Sequence, residues 1–376
     1  HHRRHSGTIL DISLSIIEAR HLRLRSQRLD ARSSTGVADI VRDIAAVQAQ
    51  DSVAELLAVR VRTEGATAGD VEEARVQERS VVRTWAMRGT LHLLPSEDVR
   101  WVIRLIGPTM VRKFRRRHEE LGLTPDVYDR AVEVMREALG EYGALTRRQI
   151  AEQWAEHGLP SEGQGVPHLL CRASLEGLIC FGPTVGGQAT HVLPDSWLGD
   201  GSDVADPGSE LARRYVSAYA PTTPEDYGIW SGLPVKEVRS AFESIEDELL
   251  KVDVEGIPMW VPRTRAGFLD EAMSDESPTI KMLGAFDPYL LGYRTRELGV
   301  GPELLKRVHP GGGIIRPITL VDGCAIATWA RKRSGRKLTI TVSPFESLSG
   351  EVREGIDREV EDIGRFLGVE AVWEME

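Results

Sequence analysis

One succession of signals recurs three times along this chain and restricts its fold more than any composition figure does. In the middle copy, Thr146 of Leu145-Thr146-Arg147-Arg148-Gln149 opens a short helix as its N-cap. Gly158-Leu159-Pro160 turns the chain, and a second helix is expected over residues 166–177. Residues 178–181 read as a strand, Gly186-Gly187-Gln188 as a turn and 189–193 as the returning strand. The third copy repeats this order. Thr223-Pro224-Glu225-Asp226 is a capped start, Ser231-Gly232-Leu233-Pro234 turns, residues 235–248 make the second helix, and 249–254 with 257–261 make a hairpin. The first copy is looser: Ser15-Ile16-Ile17-Glu18 is a capping box, helices are expected over 37–47 and 52–62, and residues 81–84 and 90–94 form a hairpin around Met87-Arg88-Gly89. Helix, turn, helix and two-stranded wing is the order of a winged helix-turn-helix, a fold used to hold DNA and also to hold proteins.

The pattern changes after Pro278. Gly311-Gly312-Gly313 leads into residues 314–321, an Asp322-Gly323 turn, strands over 324–331 and 337–342, a helix over 346–367 and a last strand over 369–373. The expected fold class is therefore α+β: three tandem winged-helix modules (residues 14–140, 141–205 and 206–278) and a small antiparallel, β-barrel-like domain over 279–376. Residues 1–13, beginning His1-His2-Arg3-Arg4-His5-Ser6-Gly7, look like a tag remnant outside the fold and carry no apolar signal-peptide core.

No apolar run approaches the ~20 residues of a membrane span. Cys171, Cys180 and Cys324 lack metal or redox spacing and read as core thiols of a cytoplasmic protein. The net charge of −10 opposes a simple nucleic-acid reading, but local potential decides phosphate contact. Basic residues cluster at 112–117 and 331–337, so Arg88, Arg112, Arg115, Arg116, Arg316, Arg331 and Lys332 are the candidates for DNA contact; a cluster of this kind read alone is more often a solvated face.

The feature that points to chemistry is Gln48-Ala49-Gln50, closing what reads as an apolar helical run. Amides donate and accept hydrogen bonds without titrating, so the pair suits a water or a polar ligand. It also suits plain capping of helix ends. On a helix, residues two apart point ~200° away from each other, so the two amides converge only if the helix ends near Ala49, where Asp51-Ser52 offers a new N-cap. No metal spacing, nucleophile elbow or phosphate-cradling loop is present, and no metal or cofactor is expected. The first lysine is Lys113, so no amine nucleophile lies near the motif.

The residues Ala19-Arg20-x-Leu22-x-Leu24-x-x-Gln27-x-Leu29, Gln48-Ala49-Gln50 and Arg83-x-Trp85-x-x-Arg88-Gly89-Thr90-Leu91-His92 together resemble the AlkZ/YcaQ family of bacterial DNA glycosylases. Phe286-Asp287-Pro288, Arg294 and Val321-Asp322-Gly323 extend the likeness into the C-terminal part. The resemblance implies tandem winged helices in a C-shape, with Gln48 and Gln50 catalytic. Phe286-Asp287-Pro288 reads first as a structural turn, and Asp287 supports charge at the sugar only if it faces the cleft. Glutamine at position 50 resembles the AlkZ branch, where the sister branch has aspartate. It implies a monofunctional enzyme that removes bulky cationic N7-alkylated purines and unhooks azinomycin-type interstrand cross-links. Its partner would be duplex DNA carrying such lesions, with no protein partner. Without a titrating group in the motif, excision should be flat from about pH 6 to 9. A non-enzymatic regulator or damage sensor built from the same modules is the alternative.

Overall fold

The computed structural model describes residues 12–270 and 278–376. Most of the segment expected to be a tag lies outside the described residues. Ile12–Leu14, however, is a strand, and it pairs in parallel with Val252–Val254, so residues 12 and 13 belong to the fold. The boundary expected at residue 278 adjoins positions 271–277, also outside the described residues.

The order helix, helix, hairpin occurs three times, led by a short strand in the first two copies and by a single bridging residue in the third. In the first unit, Val47–Gln48 precedes helices Ser52–Arg60 and Ala68–Val76 and the hairpin Val81–Trp85/Leu91–Pro95. The second has Leu145–Thr146, helices Arg147–Glu156 and Gly165–Leu175, and the hairpin Cys180–Val185/Gln188–Val192. In the third, helices Pro224–Ser231 and Val235–Ser244 precede the hairpin Leu249–Val254/Ile257–Pro262. The leading residue always meets the hairpin's return strand: Gln48 faces His92, Thr146 faces Thr190, and Thr222 bridges Trp260. Local capping explains the helix starts. Thr146 and Thr223 complete capping boxes with Gln149 and Asp226, and Thr67 does so with Asp70 at a helix that sequence reasoning did not place.

Two further long helices, Val99–Glu120 and Pro125–Tyr142, join the first unit to the second, and Pro207–Tyr219 leads to the third. Gly107 allows the closest approach: a Cβ there would lie 1.9 Å from the Leu175 carbonyl oxygen. Trp101, Tyr215, Tyr219, Tyr227 and Trp230 fill a core shared by the units, with Trp230 Nε1 donating to the Tyr219 hydroxyl at 3.1 Å.

The C-terminal part is a five-stranded sheet in the order Ile280–Leu283, Ile318–Val321, Cys324–Ser334, Lys337–Pro344, Glu370–Met375. Its last pair is parallel, not antiparallel as expected. The cause is the intervening helix Gly350–Leu367, which carries the chain back along the sheet, and only such a crossover lets neighbouring strands run the same way. The sheet packs on the first unit through Leu57, which joins Met282, Trp329 and Ile340 in one apolar cluster. Arg60, fully buried, ties the same helix to Glu359 (2.8 Å) and Asp362 (2.9 Å). Among the described residues, no helix is long and apolar enough to cross a membrane.

Candidate active site

The glutamine motif does not end a helix. The helix expected over 37–47 stops at Asp43, Ala45 takes a positive φ of 65°, and Val47–Gln48 leaves as a strand against Leu93 and His92. The ~200° divergence that a helix would impose on the two glutamines therefore does not apply: Gln48 ends a strand and Gln50 lies in the bend that follows it. The second unit's leading strand ends on its own N-cap, Thr146, but here Ala49 and Gln50 stand between Gln48 and the cap, Asp51. This two-residue extension displays the second glutamine. Capping is done by Asp51 itself, whose Oδ1 accepts from the Val53 and Ala54 amides at 2.8 Å, so neither glutamine is a helix cap.

Gln48 is half-buried, and its Oε1 is buried without a hydrogen-bond partner. Gln50 is exposed, and its Oε1 accepts from the Leu91 amide at 3.3 Å, which leaves one lone pair. Across the sheet, Gln48, His92 and Thr84 stand in one register row and so share a face. Thr84 Oγ1 is likewise buried without a partner. Burial, and then the nearby Arg88 charge, push the His92 imidazole down to about 3, so it is neutral at ordinary pH. Its Nδ1 lies 3.0 Å from the Thr90 carbonyl, so Nδ1 carries the proton and Nε2 is an acceptor. The row is therefore polar, uncharged and short of partners. His92 is among the residues that carry the family likeness, whereas Thr84 is found only through the ladder.

The remaining candidates separate. Asp287 is 1% exposed; its Oδ1 and Oδ2 meet Arg62 at 2.8 and 2.9 Å, and Oδ1 also caps the Tyr289 amide. Those contacts occupy the carboxylate that was expected to support charge at the sugar, and make it a structural counter-ion instead. Asp287→Asn should accordingly cost about 3–5 kcal/mol of folding stability, the scale of leaving a buried charge without its partner, while leaving base release per folded molecule intact. Denaturant melts and single-turnover assays on the same preparation check this.

Arg88 does not sit at a free hairpin tip. The Met87–Gly89 turn is tucked under the third unit, and Arg88 Nη1 donates to the Trp230 carbonyl at 2.5 Å. Gly89, with φ +70°, lies so near Phe114 that a Cβ would come within 2.4 Å of the ring. Arg112, Arg115, Arg116, Arg316, Arg331 and Lys332 are exposed. Arg115 and Arg116 pair with Glu119 (3.8 Å) and Glu120 (3.0 Å) one turn on, exposed contacts worth little. Arg331 lies 3.5 Å from Asp51, which brings the long Cys324–Ser334/Lys337–Pro344 hairpin beside the motif. Among the described residues, no three His, Cys, Asp or Glu side chains gather as a metal site.

The comparisons that span most of the chain agree on one family. A family model described as DNA glycosylase AlkZ-like matches residues 41–366. The chain is 30% identical over 367 residues to an interstrand DNA cross-link repair glycosylase of Streptomyces sahachiroi, covering 92% of this chain and 95% of that protein. The solved structure of the Streptomyces sahachiroi DNA glycosylase AlkZ superposes with a TM-score of 0.82 at 27% identity, over 97% of this chain and all of that one. The match spans both the glutamine motif and the C-terminal sheet, and on it the chain belongs to the AlkZ-like family and is a DNA glycosylase.

Proposed function

We propose that the protein is a monofunctional glycosylase for bulky purines made cationic by N7 alkylation, and that it unhooks interstrand cross-links formed through such purines. The observation that carries this reading is the pair of uncharged amides at the end of one strand and in the bend after it, one with a buried carbonyl oxygen lacking a partner. Breaking the bond between C1′ and the base builds positive charge on the sugar. An unmodified purine leaves poorly and calls for a general acid. A purine alkylated at N7 already carries the charge and leaves as a neutral base, so the protein need only position water and offer dipoles to the sugar. Gln48 and Gln50 do this through their carbonyl oxygens, with neutral His92 and Thr84 completing a polar wall. The relative named for interstrand DNA cross-link repair supports extending the substrate to cross-linked duplex. Azinomycin-type lesions are the toxin class we propose.

The three repeated units serve as winged helices that hold the duplex around this site, and the exposed basic residues meet its phosphates. Arg112, Arg115 and Arg116 approach from the Val99–Glu120 helix, Arg331 and Lys332 from the hairpin beside the motif, and Arg316 from the segment leading into the same sheet. Binding should then fall with salt by about 0.9 log unit per log unit of salt for each phosphate neutralised. It should vary little among unrelated undamaged duplexes, because a lesion enzyme contacts backbone rather than base edges. Titration of several duplexes at two ionic strengths reads both quantities. The decisive assay is release of free base from duplex containing 7-methylguanine, with a cross-linked duplex resolved by denaturing electrophoresis. A regulator or damage sensor would bind and release nothing.

A further inference from the structure

We infer that Arg83 and Glu55 form a positioning pair that holds the peptide between the two glutamines from behind, so that excision depends on them although neither reaches the DNA. The inference rests on the motif being catalytic, as proposed above.

Alternation along the Val81–Trp85 strand places Arg83 on the face opposite Thr84, and hence opposite the Gln48–His92–Thr84 row. From there Arg83 Nη2 donates to the Ala49 carbonyl at 2.5 Å. The Ala49 amide on the other side of that residue donates to the Leu91 carbonyl at 2.8 Å. Ala49 is thus gripped at both ends, and its peptide groups set the directions in which Gln48 and Gln50 leave the chain. Behind Arg83 stands Glu55, 2% exposed, on the helix that Asp51 caps. Its Oε2 lies 3.7 Å from Arg83 Nε, beyond hydrogen-bonding reach, and both atoms are buried without a hydrogen bond. A capped helix and a hairpin strand could have been joined here by apolar side chains. A charged pair with slack geometry instead leaves the guanidinium orientation governed by the charge on Glu55.

That charge changes within the working pH range. Burial pushes the Glu55 carboxyl up to about 7, offset in part by Arg83 and Arg75 and reinforced by Asp51 and Glu72. These groups face it from three directions: Arg83 from the hairpin, Arg75 and Glu72 (themselves paired at 2.9 Å) from the Ala68–Val76 helix, and Asp51 from the cap, where it also meets Arg331. Ionised Glu55 anchors Arg83 on the Ala49 carbonyl; protonated Glu55 lets the guanidinium drift. The rate should therefore rise as pH passes upward through about 7, in place of the flat profile expected of the amides alone.

The test is single-turnover release of base from 7-methylguanine duplex by the full chain, from pH 5.5 to 8.5, beside duplex affinity and melting temperature. The wild type is expected to gain about tenfold across this range, within the 10–10² that misplaced catalytic groups cost. Glu55→Gln should give a flat profile near the wild-type low-pH rate, with unchanged duplex affinity. It should fold, because the wild type itself populates the neutral side chain near pH 7. Glu55→Asp keeps the charge and should retain a pH step with a lower plateau. Arg83→Lys, which cannot span both partners, should be slow at every pH. A wild-type profile preserved in Glu55→Gln overturns the inference, as does a loss in Glu55→Gln or Arg83→Lys confined to affinity or melting temperature. Should Gln48→Ala and Gln50→Ala stay active, the catalytic reading of the motif fails instead, and the two failures are distinguishable.

Discussion

Gln48→Ala or Gln50→Ala is expected to slow release of an N7-alkylated purine by about 10²-fold or more, the scale seen when a positioned polar group is removed from a site of developing charge. Duplex affinity and melting temperature should scarcely move. The structure makes that combination specific. The adjacent helix is capped by Asp51, so truncating either glutamine removes no cap. Gln48 Oε1 has no protein partner to lose, so Gln48→Ala deletes an acceptor without orphaning a donor. Gln50→Ala releases one 3.3 Å contact from the Leu91 amide, a minor cost at an exposed position. Gln50→Asp keeps an acceptor there and should stay active. If both alanine variants excised at the wild-type rate, the amides would be ornaments of a turn and the chemistry would lie elsewhere.

Much of this architecture was legible because it is written locally. The Ser15, Thr146 and Thr223 capping boxes each need only four consecutive residues, and all three are present. The hairpins closed by Gly186-Gly187 and Glu255-Gly256 likewise follow from the turn residues. What could not be read depends on partners far along the chain. Gln48 looked helical because the residues before it are apolar at helical spacing; a two-residue ladder to His92 made it a strand. Ile12–Leu14 became a strand by pairing with residues some 240 positions away, which no local signal announces. Arg88 has the sequence context of an exposed turn, yet the third unit closes over it. Asp287 looked available because Phe286-Asp287-Pro288 reads as a loop, while its counter-ion Arg62 comes from the first unit. The local setting of the motif differs from the one its sequence suggests. Two amides one residue apart were odd on a helix, and they make sense on the extension between a strand and a cap.

Neutral lesions should be refused. Duplex bearing uracil or 8-oxoguanine is expected to yield no measurable base under conditions that clear 7-methylguanine, a discrimination of at least ~10³-fold, within the range a general acid would otherwise supply. His92 is held neutral, with its Nδ1 proton committed to the Thr90 carbonyl, so it offers an acceptor and not an acid. Asp287 is buried, and both of its carboxylate oxygens are taken up by Arg62. Glu55 does hold a proton below about pH 7, but it is buried behind the strand, on the helix side of the Arg83 clamp and away from the Gln48–His92–Thr84 face. A leaving group must therefore bring its own positive charge. The same reasoning separates two ways in which pH could act. An acid catalyst would make the rate fall as pH rises, whereas a clamp tightened by ionised Glu55 makes it climb. Measured on 7-methylguanine, whose departure needs no proton, a falling profile together with efficient uracil release would reveal an acid at the site and displace the amides from the centre of the mechanism.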